Sequence, residues 1–345
     1  MPLHSYDFAS RVLHRLALAS PTVAEASLDV DQAVFSRHSR SQVRTRHVFV
    51  TGLARAGTTV LMRRLYQTGV FRSLTYRDMP FVLAPNLWQR ISSLSRANMQ
   101  ARERAHGDGI LVDFDSPEAL EEVFWRVVAG RDYIRNNCLV PMQADIATRE
   151  RFRRYVATIL CSHPGKRYLS KNNNNVLRLP TLAQAFPNAA IVIPFRAPRA
   201  QAASLWRQHL RFSADGHNDS FTRAYMGWLV HHEFGPGHRP FVFDDERPPG
   251  APDTDPDYWL AIWIRTHRHI LKTAPPQALF VSYDRLCTQE AATWDVLARQ
   301  LELPEGVPVE ALHAQPVQHE LAASPGLLAE ADALHDELDR RAIAR

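Results

Sequence analysis

The chain has 345 residues, of which 45% are hydrophobic, and a formal net charge of +5. These values exclude an intrinsically disordered or fibrous protein and allow a large buried core. The three cysteines, Cys138, Cys161 and Cys287, lie too far apart for a disulfide framework, which favours a reducing compartment. The basic residues are scattered and no aromatic-basic recognition motif accompanies them, so we expect no nucleic-acid partner.

We expect a single domain over residues 1–345, because no Gly/Ser-rich linker or low-complexity tract divides the chain. Its core should span about 45–302, with helical extensions over 1–42 and 304–345. The first extension has helical apolar spacing and is divided by Pro21. It is a candidate for a cap on the core or for a homo-oligomer contact. No run approaches the ~20 apolar residues of a membrane span, so we expect a cytoplasmic protein without one.

Residues His47 to Leu61, HVFVTGLARAGTTVL, predict a strand, a phosphate-binding loop and a helix. The apolar strand pattern breaks at Gly52, and helical spacing begins after Gly57. Glycine permits a tight turn and a close backbone approach to an anion, towards which the N–H groups of a helix start point. The loop matches the G-x-x-x-x-G-K-[ST] pattern except that Thr58 replaces the lysine. The nearest cation is Arg55.

Two further candidates follow the loop. Residues 71–80 have the pattern of a short strand stopped by Pro80, which would leave Asp78 at the carboxyl edge of a sheet. In doubly wound folds that edge lines the ligand crevice. Residues 81–109 are irregular and include His106. Such a segment is typical of an acceptor-binding lid or of a solvated loop.

Three runs, 167–171, 190–196 and 278–284, predict further strands, of which the second is nearly all apolar, as expected for a buried parallel strand. Arg196 is the last residue of the second run, and Ser204 lies within the helix predicted to follow. A P-loop ATPase needs an acidic residue on such a strand to hold Mg²⁺. The arginine favours anion binding instead.

The histidine-rich segment around His231, His232, Glu233 and His238 invites a zinc site. It lacks an H-E-x-x-H motif and has no cysteine nearby, and adjacent histidines on a helix point to different faces. We therefore expect no metal ion.

Three ordered motifs resemble the sulfotransferases that use 3′-phosphoadenosine 5′-phosphosulfate (PAPS), and together they cover about residues 45–302. Their sequence elements are as follows: Arg55-Ala56-Gly57-Thr58-Thr59 is similar to the family's 5′-phosphosulfate loop, with Ala56 where serine is usual; Arg196 and Ser204, eight positions apart, are similar to its 3′-phosphate motif; and Tyr283-Asp284 is similar to the segment whose tyrosine lies near the adenosine. In the second motif Ala197 replaces the usual aspartate.

The resemblance implies an α/β fold, a three-layer sandwich with a central mainly parallel sheet, like that of the P-loop NTPases. It implies PAPS as the sulfuryl donor, adenosine 3′,5′-bisphosphate (PAP) as the product and no metal. Arg55 and the loop N–H groups would stabilise charge on the departing 5′-phosphate, with Thr58 and Thr59 holding its oxygens. Arg196 and Ser204 would bind the 3′-phosphate.

The resemblance also implies a base for the acceptor. In several relatives an acidic residue about twenty positions after the loop arginine has this role, which favours Asp78. His106 is the second candidate, because other relatives use a histidine from an acceptor loop. Lys171, at a strand end, is a candidate for neutralising the transferring sulfuryl oxygens. The acceptor would be a hydroxyl or amine of a glycan, lipid or small molecule.

Two alternatives stay open at this point. The first is an atypical P-loop kinase, which would require Mg²⁺ and an acidic residue near the loop. The second is a non-catalytic protein that binds adenosine bisphosphate and transfers nothing. The three hypotheses differ in how the bound nucleotide is used.

Overall fold

The structure is a computed structural model of the chain, and it describes residues 8–35, 45–92, 102–103, 111–112, 118–214, 220–243, 249–305 and 321–343. The strands are β1 Val48–Val50, β2 Phe71–Arg72, β3 Arg102–Glu103, β4 Leu111–Val112, β5 Arg167–Lys171, β6 Ala190–Phe195 and β7 Leu279–Ser282. Five of them form one sheet in the order β2-β5-β1-β6-β7, in which every neighbouring pair is parallel. Strands β3 and β4 form a separate antiparallel pair.

Helices flank this sheet. They are α1 Phe8–His14, α2 Pro21–Phe35, α3 Thr58–Gln67, α4 Pro85–Ser92, α5 Glu122–Tyr133, α6 Ile146–Leu160, α7 Leu179–Ala185, α8 Pro198–Ala214, α9 Ser220–Trp228, α10 Pro256–Thr273, α11 Tyr283–Thr288, α12 Glu290–Gln300 and α13 Pro325–Arg341. A π-helical turn, Arg15–Ala19, follows α1, and 3₁₀ turns span Tyr76–Asp78 and Asn173–Arg178. None of the helices within the described ranges has the length and apolarity needed to cross a membrane.

The alternation of side chains along the central strands creates two separate apolar layers. In β1, Val48 and Val50 join one cluster, with residues of α3, α11 and α12, while Phe49 joins the other, with residues of α5, α6 and α10. Successive side chains of a strand point to opposite faces, so both faces of the sheet are covered. The predicted three-layer α/β fold with a mainly parallel central sheet is confirmed. Residues from Ala17 to Leu338 contribute to the larger cluster, and the single domain stays a prediction.

Two strands, β2 and β7, end earlier than the sequence predicts. Each difference changes the element on which a candidate residue lies, Asp78 in the first case and Tyr283 in the second. Strand β2 stops at Arg72, because only Phe71 and Arg72 pair with β5. Asp78 therefore lies on a 3₁₀ turn, where it forms a capping box with Thr75. Strand β7 stops at Ser282, whose hydroxyl accepts a hydrogen bond from the backbone of Arg285 and caps α11, so Tyr283 begins a helix.

A buried polar network fixes the chain that follows β5. The Glu122 carboxylate accepts hydrogen bonds from Arg178 at 2.8 and 3.1 Å, from Asn172 at 2.6 Å and from the Tyr133 hydroxyl. The Arg178 guanidinium is fully buried, 4.6 Å from the Tyr133 ring centroid. A buried ion pair is favourable only when further hydrogen bonds satisfy its members, and here both oxygens of Glu122 accept hydrogen bonds, while Arg178 donates through Nη2. The network anchors the four asparagines after Lys171.

We expect Glu122→Gln to lower the free energy of unfolding by about 3–5 kcal/mol, because the fully buried Arg178 would lose its charged partner. The matched control is Glu330→Gln, which breaks a pair whose side chains are 44% and 55% exposed and should cost at most about 1 kcal/mol. Urea unfolding at pH 7 measures both. Equal losses in the two variants would contradict the role of the buried pair.

Candidate functional site

The loop between β1 and α3 has the backbone shape of an anion-binding loop. Gly57 caps α3 with φ of +83°, and Arg55 has φ of +68°, which is uncommon for a residue with a side chain. Helix geometry leaves the N–H groups of the first turn of α3 without partners inside the helix. The loop therefore combines strained backbone with unused donors, a combination found at ligand-binding loops.

Helix α8 holds the loop in this shape from one side. The Gln201 side-chain amide donates to the carbonyl oxygens of Leu53, at 3.2 Å, and Ala54, at 2.9 Å. Its own carbonyl accepts a 3.0 Å hydrogen bond from the Trp263 indole on α10. Sequence reasoning missed Gln201, although its place between the motif residues Arg196 and Ser204 was a signal that it would face the loop.

Tyr283 packs against the loop at Gly57. A methyl group built on Gly57 would lie 2.3 Å from a Tyr283 ring carbon, so only glycine allows this contact. The guanidinium carbon of Arg196 lies 5.4 Å from the centroid of the same ring, and Arg196 Nε is buried without a hydrogen-bond partner among the described residues. Burial raises the pKa of Tyr283 to about 12, so its hydroxyl stays neutral. The glycine, the ring and the arginine of three separate motifs thus meet in one place.

The two remaining motif residues are joined directly. Arg55 Nε donates to the Ser204 hydroxyl at 3.1 Å, although the two residues are 149 positions apart. Ala56, which stands where serine is usual in the motif, is fully buried. Its methyl group is part of the protein interior, so this position contributes only its backbone to the loop surface.

A series of hydrogen-bonded side chains connects the start of α3 with the segment that follows α9. The Thr58 hydroxyl lies 3.3 Å from Asn173 Oδ1, to which it donates, and Asn173 Nδ2 donates to Glu233 Oε1 at 3.2 Å. The other carboxylate oxygen of Glu233 lies 3.6 Å from His231 Nδ1. Lys171 is the last residue of β5, buried beside Val50 of β1. One asparagine side chain thus separates the loop from a carboxylate.

Glu233 is ionised although its side chain is only 21% exposed. Burial opposes the charge, but the hydrogen bond and charge of His231 and the charge of Lys171 outweigh it, so the pKa of Glu233 is lowered. Sequence reasoning weighed Glu233 only as a zinc ligand and missed this contact. No local pattern pointed to it, because Asn173 and Lys171 precede it by about sixty residues.

Asp78 lies apart from this constellation. Its oxygens accept hydrogen bonds from Arg72 Nη2 at 2.6 and 2.8 Å and from the backbone and hydroxyl of Thr75 at 2.8 and 3.3 Å. It follows the edge strand β2, and β5 lies between that strand and β1, which places the two strands about 10 Å apart. These contacts give Asp78 an ion pair and a capping role. The other candidate base, His106, lies outside the described residues.

The histidines of the segment considered for zinc have other partners. His238 Nδ1 and Nε2 bond to the His232 carbonyl and the Tyr258 hydroxyl at 3.0 and 2.8 Å, and His232 Nδ1 bonds to the Gly237 carbonyl at 3.0 Å. Within the described ranges, no three His, Cys, Asp or Glu side chains are grouped so as to hold a metal ion. The metal-free site stays a prediction.

Sequence comparison decides the family. Residues 47–236 match the family model described as the sulfotransferase family, and this span is more than half of the 345 residues. The chain belongs to the sulfotransferase family. The matched span contains Arg55, Arg196 and Ser204, whereas Tyr283 lies beyond it. No protein of curated function matches this sulfotransferase.

Three solved sulfotransferases are similar at low identity. STF1 from Mycobacterium tuberculosis H37Rv is 15% identical, with a TM-score of 0.45 over 99% of this chain and 87% of that one. STF9 from Mycobacterium avium is 16% identical, with 0.46 over 93% and 85%. A sulfotransferase from Alicyclobacillus acidocaldarius is 14% identical, with 0.44 over 87% and 97%. The family assignment depends on the family model and not on these matches.

We expect Gly57→Ala to destabilise the fold by more than Gly69→Ala. Both glycines have positive φ, at +83° and +71°, so both changes introduce backbone strain of about 1–3 kcal/mol. Only Gly57 also meets a ring, because nothing lies within 4 Å of a methyl group at Gly69. Repeating Gly57→Ala in a Tyr283→Ala background should remove the extra loss, as thermal unfolding of all four variants would show. Equal losses with and without the ring would contradict the contact.

We expect Asp78→Asn to act mainly on stability, lowering the free energy of unfolding by about 3–5 kcal/mol, because Arg72 would stay buried without its charged partner. Asp332→Asn is the control, since it breaks an ion pair whose side chains are 51% and 52% exposed. Urea unfolding and steady-state turnover measure the two effects. An unchanged stability with a hundredfold loss of turnover would instead support Asp78 as the catalytic base.

Proposed function

We propose that this sulfotransferase uses PAPS and transfers its sulfuryl group to a hydroxyl or amine of a small-molecule, lipid or glycan acceptor. The observation that carries the proposal is the meeting of Arg196, Tyr283 and Gly57 beside the Arg55–Ser204 pair. Two cationic side chains, an aromatic ring and helix N–H groups suit a nucleotide that carries phosphate at two positions. The buried Nε of Arg196, which lacks a partner, fits a bound anion.

When bound, PAPS supplies a sulfuryl group attached to a phosphate leaving group, so catalysis consists of positioning and stabilising charge. In the proposed site the N–H groups at the start of α3 and the Arg55 guanidinium face the departing 5′-phosphate, with the hydroxyls of Thr58 and Thr59 on its oxygens. Arg196 and the Ser204 hydroxyl hold the 3′-phosphate. Because Arg55 donates to it through Nε, Ser204 also positions the loop cation.

Lys171 is a further catalytic residue in this proposal. It ends β5 next to β1 and its charge acts on Glu233, which supports the proposal that it neutralises the transferring sulfuryl oxygens. Asp78 and His106 stay proposed bases from sequence, and the ion pair of Asp78 with Arg72 weakens its case. The three free cysteines support a reducing compartment, and we propose the cytoplasm.

Calorimetric titration with PAP and with ADP, both without Mg²⁺, tests the proposal. We expect PAP to bind selectively and Arg196→Ala to raise its Kd about 10–100-fold, since a charged hydrogen bond contributes about 1.5–3 kcal/mol. Arg199→Ala is the matched control, because Arg199 lies three positions further on, 51% exposed, and pairs with Asp332. Its Kd should be unchanged.

The other outcomes separate the alternatives. Preference for ADP, or binding that requires Mg²⁺, would reject PAPS use and support the kinase hypothesis. Selective PAP binding without transfer of ³⁵S from labelled PAPS to any acceptor would support a non-catalytic nucleotide-binding protein.

A further inference from the structure

A pocket of about 400 Å³, its open mouth included, lies beside the phosphate loop. Its walls come from the loop itself at Leu53, from α8 and α10, and from the segment around Phe241. Most of the lining is apolar and buried; the residues that matter here are Leu53, Leu205, Phe241, Trp259 and Ile262.

The polar side chains in the lining are bonded to the protein and carry little charge. His232 and His238 bond to backbone carbonyls and to Tyr258. Burial lowers the pKa of each to about 4, so both are neutral at physiological pH. The Arg239 guanidinium donates to the Arg135 carbonyl at 3.1 Å. The lining contains one positive charge, on Arg239, and one negative charge, on Glu233. The lining as a whole therefore offers an anionic ligand no net attraction.

One end of the pocket reaches the proposed transfer site. Asn173 and Glu233 both line it, and Asn173 joins the Thr58 hydroxyl at the start of α3 to the Glu233 carboxylate. A ligand in the pocket would therefore have an apolar body against residues such as Trp259 and Phe241 and a polar end at Glu233. That end lies one side chain from the loop proposed to hold the sulfuryl donor.

We infer that this pocket is the acceptor site, that it takes an uncharged phenol, and that Glu233, in place of Asp78 or His106, receives the proton of the reacting hydroxyl. The inference rests on the proposed sulfotransferase activity. It narrows the acceptor from any glycan, lipid or small molecule to one chemical class, because a sugar would leave its hydroxyls unpaired against an apolar wall.

The proposed step balances in atoms and charge. A bond forms between the acceptor oxygen and sulfur, and the bond between sulfur and the bridging phosphate oxygen breaks, with its electron pair kept by the phosphate. The hydroxyl proton moves to a Glu233 oxygen. A carboxylate whose pKa is lowered is a weak base, and it suits a phenol, with a pKa of about 10, better than an aliphatic alcohol.

The test uses the full chain saturated with PAP or ³⁵S-labelled PAPS and three probes: 2-naphthol, 6-hydroxy-2-naphthoate and glucose. We expect 2-naphthol to bind the PAP complex and to accept sulfate with a kcat/KM at least tenfold above that of the carboxylated analogue. Glucose should show no transfer. Equal or better use of the naphthoate or of glucose would overturn the inference, and so would failure of 2-naphthol to bind.

Two variants assign the residues. Ile262→Trp should fill the pocket and lower kcat/KM for 2-naphthol at least tenfold without changing the Kd for PAP. Ile146→Trp, at a side chain 71% exposed, is its control. Glu233→Gln is nearly isosteric and should lower kcat by about 10²–10⁴-fold, with the Kd for PAP unchanged. Glu150→Gln, at a side chain 52% exposed, is the matched control.

The outcomes distinguish this inference from the proposed function. If the unmodified chain does not bind PAP, the proposed use of PAPS is itself rejected. Normal PAP binding with full activity in Ile262→Trp would reject the acceptor site alone. Normal turnover in Glu233→Gln would reject the role of the carboxylate.

Discussion

The arrangement of the site depends on two adjacent buried carboxylates at the start of α5. Glu122 pairs with Arg178, and Glu121 accepts hydrogen bonds from Asn175 and from the Tyr168 hydroxyl, both at 3.0 Å. Burying two acids is costly unless every oxygen is satisfied, and here amides, hydroxyls and a guanidinium do so. Because these partners include the first and last of the four asparagines, the backbone after β5 is held at both ends. Asn173, in the middle, is thereby aimed at the loop.

The two halves of the site are built differently. The proposed nucleotide side consists of residues at the carboxyl ends of three neighbouring strands, β1, β6 and β7, where parallel sheets place their ligands. Its parts lock one another, since Gln201 holds the loop carbonyls and Tyr283 fills the space over Gly57. The proposed acceptor side comes from the segment after α9, outside the sheet. Such segments vary without disturbing the core, which suits a part that sets acceptor choice.

The sequence patterns behind the proposed nucleotide side are local. The loop from Gly52 to Thr59 is a continuous run whose glycine and threonine positions have a direct backbone meaning. The spacing of Arg196 and Ser204 likewise belongs to one strand and its following helix. The acceptor side was less accessible. The sequence pattern predicted Asp78 at the end of a strand. In the structure its oxygens accept hydrogen bonds from Arg72 and from Thr75, with which Asp78 forms a capping box.

The sequence by itself determined the α/β fold, the strand–loop–helix element around Gly57 and the order of the motif residues, because strand and helix periods and glycine positions are readable within short windows. Only the tertiary structure decided that Arg55 meets Ser204, that Tyr283 lies on Gly57 and that Glu233 joins Asn173. These contacts link residues about sixty to more than two hundred positions apart. The reason is physical: which distant side chains meet is set by strand order and by the burial of charged groups, and neither leaves a local pattern.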